Sequence, residues 1–244
     1  MDVELEIRNQ KLEVGRLAVL IILFGFISIV SAAPVGPDSL NVTLNETWGG
    51  PNTGSNVNVS GGLISKLNVS TIVQNPHWKA FVGWVDGRFT LDDSSDSSIY
   101  DWSISSIGGQ VYATRVSGAV DWGNIECASD AEIIAEDVAM DHIGEDNISS
   151  TFNGTNAGTY VVSGVPIGAT DCFAVNSYVN NASQSSSFEE IILYDSANIV
   201  FAAKIEDGIA GYDGADYDFQ MIVPENGDSG FAGSTAYYLY VELN

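Results

Sequence analysis

The chain has 244 residues and carries 32 acidic against 8 basic side chains, a formal net charge of −24. That balance excludes nucleic acid and anionic membrane surfaces as partners, because both are held through basic patches. It suits a solvated surface in high salt or one neutralised by divalent cations, since either screens the self-repulsion.

Leu17 to Val30 is a run of fourteen, apolar but for Ser28, preceded by Lys11 and Arg16 and followed by the small-residue stretch Ser31-Ala32-Ala33. A spanning helix needs about 20 residues, so residues 1–33 read as a secretory signal peptide, with an N-terminal membrane anchor as the alternative. Both place the rest of the chain outside the cell or at its surface. Five basic residues then face 28 acids.

Residues 34–76 form an arm rich in Asn, Ser, Thr and Gly. Seven N-x-S/T sequons mark the chain, at Asn41, Asn45, Asn58 and Asn68 in the arm and at Asn147, Asn153 and Asn181 beyond it. In an exported chain they predict N-glycosylation and a hydrated exterior. Ser39–Leu44 alternates and Leu63–Val73 holds β-branched residues, so one or two strands are expected in the arm.

Trp78 to Cys127 holds four of the five tryptophans and reads as the middle of a β-rich core. Asp86-Gly87 between Ala80–Val85 and Arg88–Asp92 predicts a two-residue hairpin. Ile99–Ile104 and Gln110–Val116, around a Ser/Gly turn, predict a second. Ser129 with Glu132 forms a capping box, and Gly144 supplies a stop, so one surface helix is expected over about 129–143. Ile134 and Val138 define its apolar face, with Glu132, Glu136 and Asp137 outward. From Gly158 onward GTYVVSGV, CFAVNSYV, EEIILYD, NIVFAAKI, DFQMIV and TAYYLYVEL read as successive strands. The fold class is therefore all-β, an antiparallel sandwich-like domain over 77–244 with that one helix.

Cys127 and Cys172 are the only cysteines, and in an exported chain they predict one disulfide. Catalytic signals are poor. Gly227-Asp228-Ser229-Gly230 resembles the nucleophile loop of chymotrypsin-like serine proteases, but Phe231 stands where that family has glycine, and His77 sits in NPHWKA. A Gly-rich loop between strands accounts for it more simply. His77 and His142 are the only histidines and read as exposed or capping residues, His142 complementing a helix C-terminus. Two carboxylate clusters, Asp92, Asp93 and Asp96, then Asp213, Asp216 and Asp218, are candidate Ca²⁺ ligands on oxygen chemistry. The same residue types also favour turns for backbone reasons. Trp78, Trp84 or Tyr237 would serve as a carbohydrate platform if exposed. No catalytic constellation and no cofactor other than Ca²⁺ are expected.

The combination WKAFVGWVDGRFTLDD, IYDWSI, GQVYATR and DWGNIEC, then YDFQMIVP and YYLYVEL, is similar to uncharacterised secreted or cell-surface proteins of archaeal genomes. That resemblance implies export and β structure and carries no known activity. The expectation is an exported, N-glycosylated cell-surface protein with a structural or interaction role. Its partners would be other surface proteins, itself or glycans, with self-assembly through the 34–60 portion of the arm. The alternative is a Ca²⁺- or carbohydrate-dependent surface binding module.

Overall fold

The computed structural model describes residues 33–50, 53–58, 60–104, 106–118, 120–226 and 234–244. The apolar run Leu17–Val30 and the GDSG loop lie outside these residues. Among the described residues no helix is long and apolar enough to cross a membrane.

The protein is an all-β, antiparallel, sandwich-like domain. Its strands are β1 (Trp78–Gly83), β2 (Arg88–Asp92), β3 (Ser98–Ser103), β4 (Gly109–Thr114), β5 (Glu126–Cys127), β6 (Gly154–Thr155), β7 (Tyr160–Val162), β8 (Val165–Ile167) and β9 (Phe173–Asn176). They continue with β10 (Glu189–Tyr194), β11 (Ile199–Lys204), β12 (Ile209–Ala210), β13 (Asp216–Tyr217), β14 (Phe219–Pro224) and β15 (Tyr238–Leu243). Among the described residues two α-helices, α1 (Asp130–Ala139) and the single turn α2 (Ile148–Thr151), and a 3-10 turn at Trp122–Asn124 interrupt them.

The main sheet runs β15-β4-β11-β10-β9-β6, with β5 also on β10. Its central strands are buried on both faces, which is why EEIILY and IVFAAK read as continuous apolar runs. Alternate side chains feed two cores. Val111, Ala113, Ile192, Phe201 and Ala203 face one, closed by Ile133 of α1, by Ile148 and Phe152, and by Met221 and Val223 of β14. Tyr112, Ile191, Leu193, Val200 and Ala202 face the other, closed by Tyr160, Val162, Ile167 and Trp122.

The disulfide joins Cys127 to Cys172, whose Cα atoms lie 4.9 Å apart. Cys127 sits opposite Leu193, while β9 pairs with residues 189–191 of the same strand. The bridge thus staples two short strands that share one edge of β10. Two buried tyrosines secure the same side. Tyr160 donates to Glu189 at 2.8 Å and Tyr112 to Glu242 at 2.8 Å, and burial beside these carboxylates pushes both phenols upward in pKa.

Several local expectations are corrected. β1 does not pair with β2 across Asp86-Gly87; it pairs with β14, Trp78 opposite Pro224 through Gly83 opposite Phe219. The buried Asp218 carboxylate accepts the Val85 amide at 2.8 Å and so pins the chain where a hairpin would turn. Gly87 serves close packing instead: a Cβ there would meet Leu243 Cδ1 at 2.2 Å. The second hairpin is also absent, because β4 lies between β11 and β15 and β3 pairs with β2. The centre is therefore β4, β11 and β10, not the whole of 78–127, since β2 and β3 are exposed along their entire length.

In α1 the capping box forms, with Glu132 accepting from the Ser129 amide at 2.6 Å. Its faces are the reverse of the expectation. Ile133 and Asp137 are buried, whereas Ile134 and Val138 are exposed. Asp137 is inward because its carboxylate accepts from Ile148 N, Ser149 N and Ser149 Oγ, at 2.6, 3.3 and 2.8 Å, capping α2. The helix ends at Ala139, with Asp141 at a φ of 57°, before Gly144 is reached. The arm forms no strand among its described residues; it bridges to the main sheet at Val35, and Asn45 Oδ1 accepts from Lys79 of β1 at 3.2 Å.

Candidate interaction surface

An antiparallel strand at a sheet edge turns every second residue's N–H and C=O outward. β15 is such an edge, paired on one side with β4. Its Val241 exchanges two backbone hydrogen bonds with Val35 of the arm, at 3.0 and 2.8 Å. The same parity points the amides and carbonyls of Leu239 and Leu243 along that edge.

Beside this edge lies an open cleft of about 750 Å³. It is lined by Val35 and Leu40 from the arm, Trp84 and Phe89, and Leu239 and Leu243 of β15. Trp84 is 66% exposed, and its indole is fixed by donating to the Asp216 carbonyl at 2.9 Å. The β2–β3 hairpin continues the surface with exposed Phe89, Leu91, Ile99, Tyr100 and Trp102. Tyr100 and Trp102 meet edge to face, 5.0 Å between centroids. An isolated two-stranded hairpin is marginally stable in water, so this one has surface to gain by being covered.

The arm matches that surface in kind. Leu40, Val42, Leu44, Leu63, Ile64, Leu67, Val69, Ile72 and Val73 are all exposed. Leu40, Val42 and Leu44 recur at every second residue, so an extended segment would present all three on one face.

The carboxylate clusters are occupied with local duties. Asp93 accepts the amides of Ser95 and Ser97 at 2.7 and 3.0 Å, which holds its pKa below the ordinary value. Asp92 is held low by hydrogen bonds from the Ser98 and Thr90 side chains, and Asp96 takes the left-handed turn position at a φ of 59°. Asp213 accepts from Ala215 N and Tyr217 Oη, and Asp218 from Val85 N and Gly208 N. Asp216 supplies its carbonyl to Trp84. Among the described residues, no group of three or more metal-ligating side chains is brought together.

Of the aromatic platform candidates, Trp78 and Tyr237 are packed against the core, and Tyr237 donates to the Pro224 carbonyl at 2.9 Å. Trp84 alone is open. The structure adds two residues that the sequence reading missed, Tyr217 at 5.3 Å from Trp84 and Tyr212 stacked on Tyr217 at 6.1 Å and 16°. They bracket a Gly-rich turn with no periodicity to signal a shared face.

Asn41, Asn45, Asn58, Asn68, Asn153 and Asn181 are exposed, and Asn147 is partly so, its side chain accepting from Ser150 N at 2.7 Å as the cap of α2. The two histidines are not separate exposed or capping residues: their rings lie 5.0 Å apart, with His142 buried. Comparison of the chain with protein-family models, with curated proteins and with solved structures finds no match in any of the three.

Proposed function

We propose that this is an exported, N-glycosylated surface protein with a structural role, assembled by passing the arm of one copy onto the β15 edge of the next. The observation that carries the proposal is the Val35–Val241 pair. It is a single rung, made by an exposed segment, on an edge with further outward-facing backbone groups.

The exchange is cheap and the gain is not. Releasing the 34–60 portion of the arm gives up the two backbone bonds of Val35, each about 0.5–1.5 kcal/mol net, and the exposed contact of Asn45 with Lys79. A neighbour's arm would restore them, and a longer register would add bonds to Leu239 and Leu243 and bury Leu40 near Trp84 and Phe89. Such strand addition draws affinity from main-chain bonds and specificity from alternate side chains. Because donor and acceptor surfaces differ, the contact is head-to-tail and propagates into an open filament or lattice. The arm carries only Asp38, Glu46 and Lys66 between residues 34 and 76, so it can approach an acidic body with little repulsion. The test is the association state of the full chain against Val35→Pro at equal concentration. Loss of multimers in the variant supports the reading, and equal mass in both refutes it.

Trp84 and Tyr212, both exposed and bridged by the buried Tyr217, support a second reading, a sugar-binding surface, since flat exposed aromatics are the usual stacking faces for pyranose rings. Binding of a glycan array by the native chain but not by Trp84→Ala would favour it over assembly.

A further inference from the structure

We propose that His77 and His142 form a two-imidazole site for a borderline divalent transition-metal ion, with Zn²⁺ as the working case. Each ring is already held from behind by an acceptor, in the manner of metal-ligating histidines. His142 donates its Nε2 proton to the Glu225 carbonyl. A carbonyl only accepts, so in neutral His142 the lone pair is on Nδ1, and that atom is buried without a partner.

His77 lies 2.8 Å from Asp146 Oδ2 through Nδ1. Asp146 is fixed in turn by Asn75 Nδ2 at 2.8 Å, while Asn75 Oδ1 accepts the His77 amide at 2.8 Å. Asp146 Oδ2 accepts from Asn75 as a carboxylate, so it is the acceptor for His77 as well and Nδ1 carries the proton. Neutral His77 then keeps its lone pair on Nε2. Two imidazoles on one tetrahedral ion, with metal–nitrogen bonds of about 2.0–2.1 Å, place their ring centroids roughly 5 Å apart. Here the separation is 5.0 Å.

The surroundings suit a small, half-open site. Trp78 packs its ring edge-on at 5.6 Å from His142 and donates Nε1–H to the Asp146 carbonyl, walling one side. The His77 side chain is about one-third exposed, leaving a route for the ion and for water in the remaining positions. No third protein ligand joins the pair among the described residues, so water completes the set. Imidazole donors favour Zn²⁺, Cu²⁺ or Ni²⁺ over hard Ca²⁺.

The test is calorimetric titration of Zn²⁺ into the full chain purified without a histidine tag, in parallel with His77→Gln and Asp146→Asn. His77 is chosen because its side chain is about one-third exposed and lies outside both cores. A one-site isotherm in the native chain should be lost or weakened at least tenfold in His77→Gln. Asp146→Asn, which touches no metal directly, should weaken binding about 10–100-fold. The metal-free melting temperature of His77→Gln should match the native value. Absence of native binding, or equal affinity in His77→Gln through some other carboxylate pair, overturns the site.

Discussion

Val35 and Val241 exchange both of their backbone hydrogen bonds across the outer edge of β15, at 3.0 and 2.8 Å. Val35 is 63% exposed, so the rung is built of backbone with little side-chain burial behind it. Val35→Pro removes the donated bond without touching either core. Its unfolding free energy should stay within about 1 kcal/mol of native, the worth of one hydrogen bond. Denaturant unfolding showing a loss of several kcal/mol would mean that the arm belongs to the body's own fold.

Glu190 gives the stability a definite dependence on pH. Its carboxyl is fully buried in β10, with Oε2 accepting from Ile222 N at 2.8 Å and Oε1 unpartnered. Desolvation pushes its pKa well above the ordinary value, against the pull of the Ile222 amide. The folded state therefore holds this proton to higher pH than the unfolded state does. The contribution is fully present below the unfolded value of about 4.3 and is lost as pH rises through the folded value, at about 1.4 kcal/mol per pH unit crossed. Glu190→Gln, a neutral isostere, should flatten that decline. Thermal melts from pH 4 to pH 9 check it, and parallel native and variant curves would contradict it.

The α1 faces offer a sharper contrast. Asp137→Ala removes the acceptor for two amides and a hydroxyl of α2, and should cost about 2–3 kcal/mol. Ile134→Lys and Val138→Lys, on the exposed face, should fall within about 0.5 kcal/mol of native. Chemical denaturation of the three variants decides between this arrangement and an apolar-in helix, for which the ranking would invert.

The misplaced helix face shows where the sequence stops being informative. Ile134 and Val138 at i, i+4 look like a buried stripe, and nothing local reveals that Asp137 is wanted inside to cap a helix eleven residues on. Asp86-Gly87 misleads in the same way, because Gly87 answers to Leu243 across the fold. Gly109 does too, since a φ of 124° and a Cβ position only 1.9 Å from the Glu242 carbonyl tie it to β15. What was legible was set by composition within one segment: the doubly buried β10 and β11, the capping box and the pair of cysteines. The partners of β1 and β4 were not, because β14, β11 and β15 lie roughly ninety to a hundred and fifty positions away in the chain. The same holds for the histidine pair, which meets only when β1 and the end of α1 come together.

The Cys127–Cys172 bridge closes a separation of 45 residues. On the chain-entropy account it stabilises by about 4 kcal/mol. Cys127→Ala with Cys172→Ala should lose about that amount in denaturant titration, with the midpoint shifted and the slope little changed. A loss below about 1 kcal/mol would show that β5 and β9 are held on β10 by packing alone.

Self-assembly through the arm is best tested by light scattering on size-exclusion fractions of the full chain, under one buffer and detergent condition. Native protein, Val35→Pro and a variant lacking residues 36–60 are compared at the same concentrations. The account predicts a ladder of multimers in the native chain that grows with concentration and collapses in both variants. A native chain of single-copy mass at every concentration, or multimers unchanged by either variant, would contradict it.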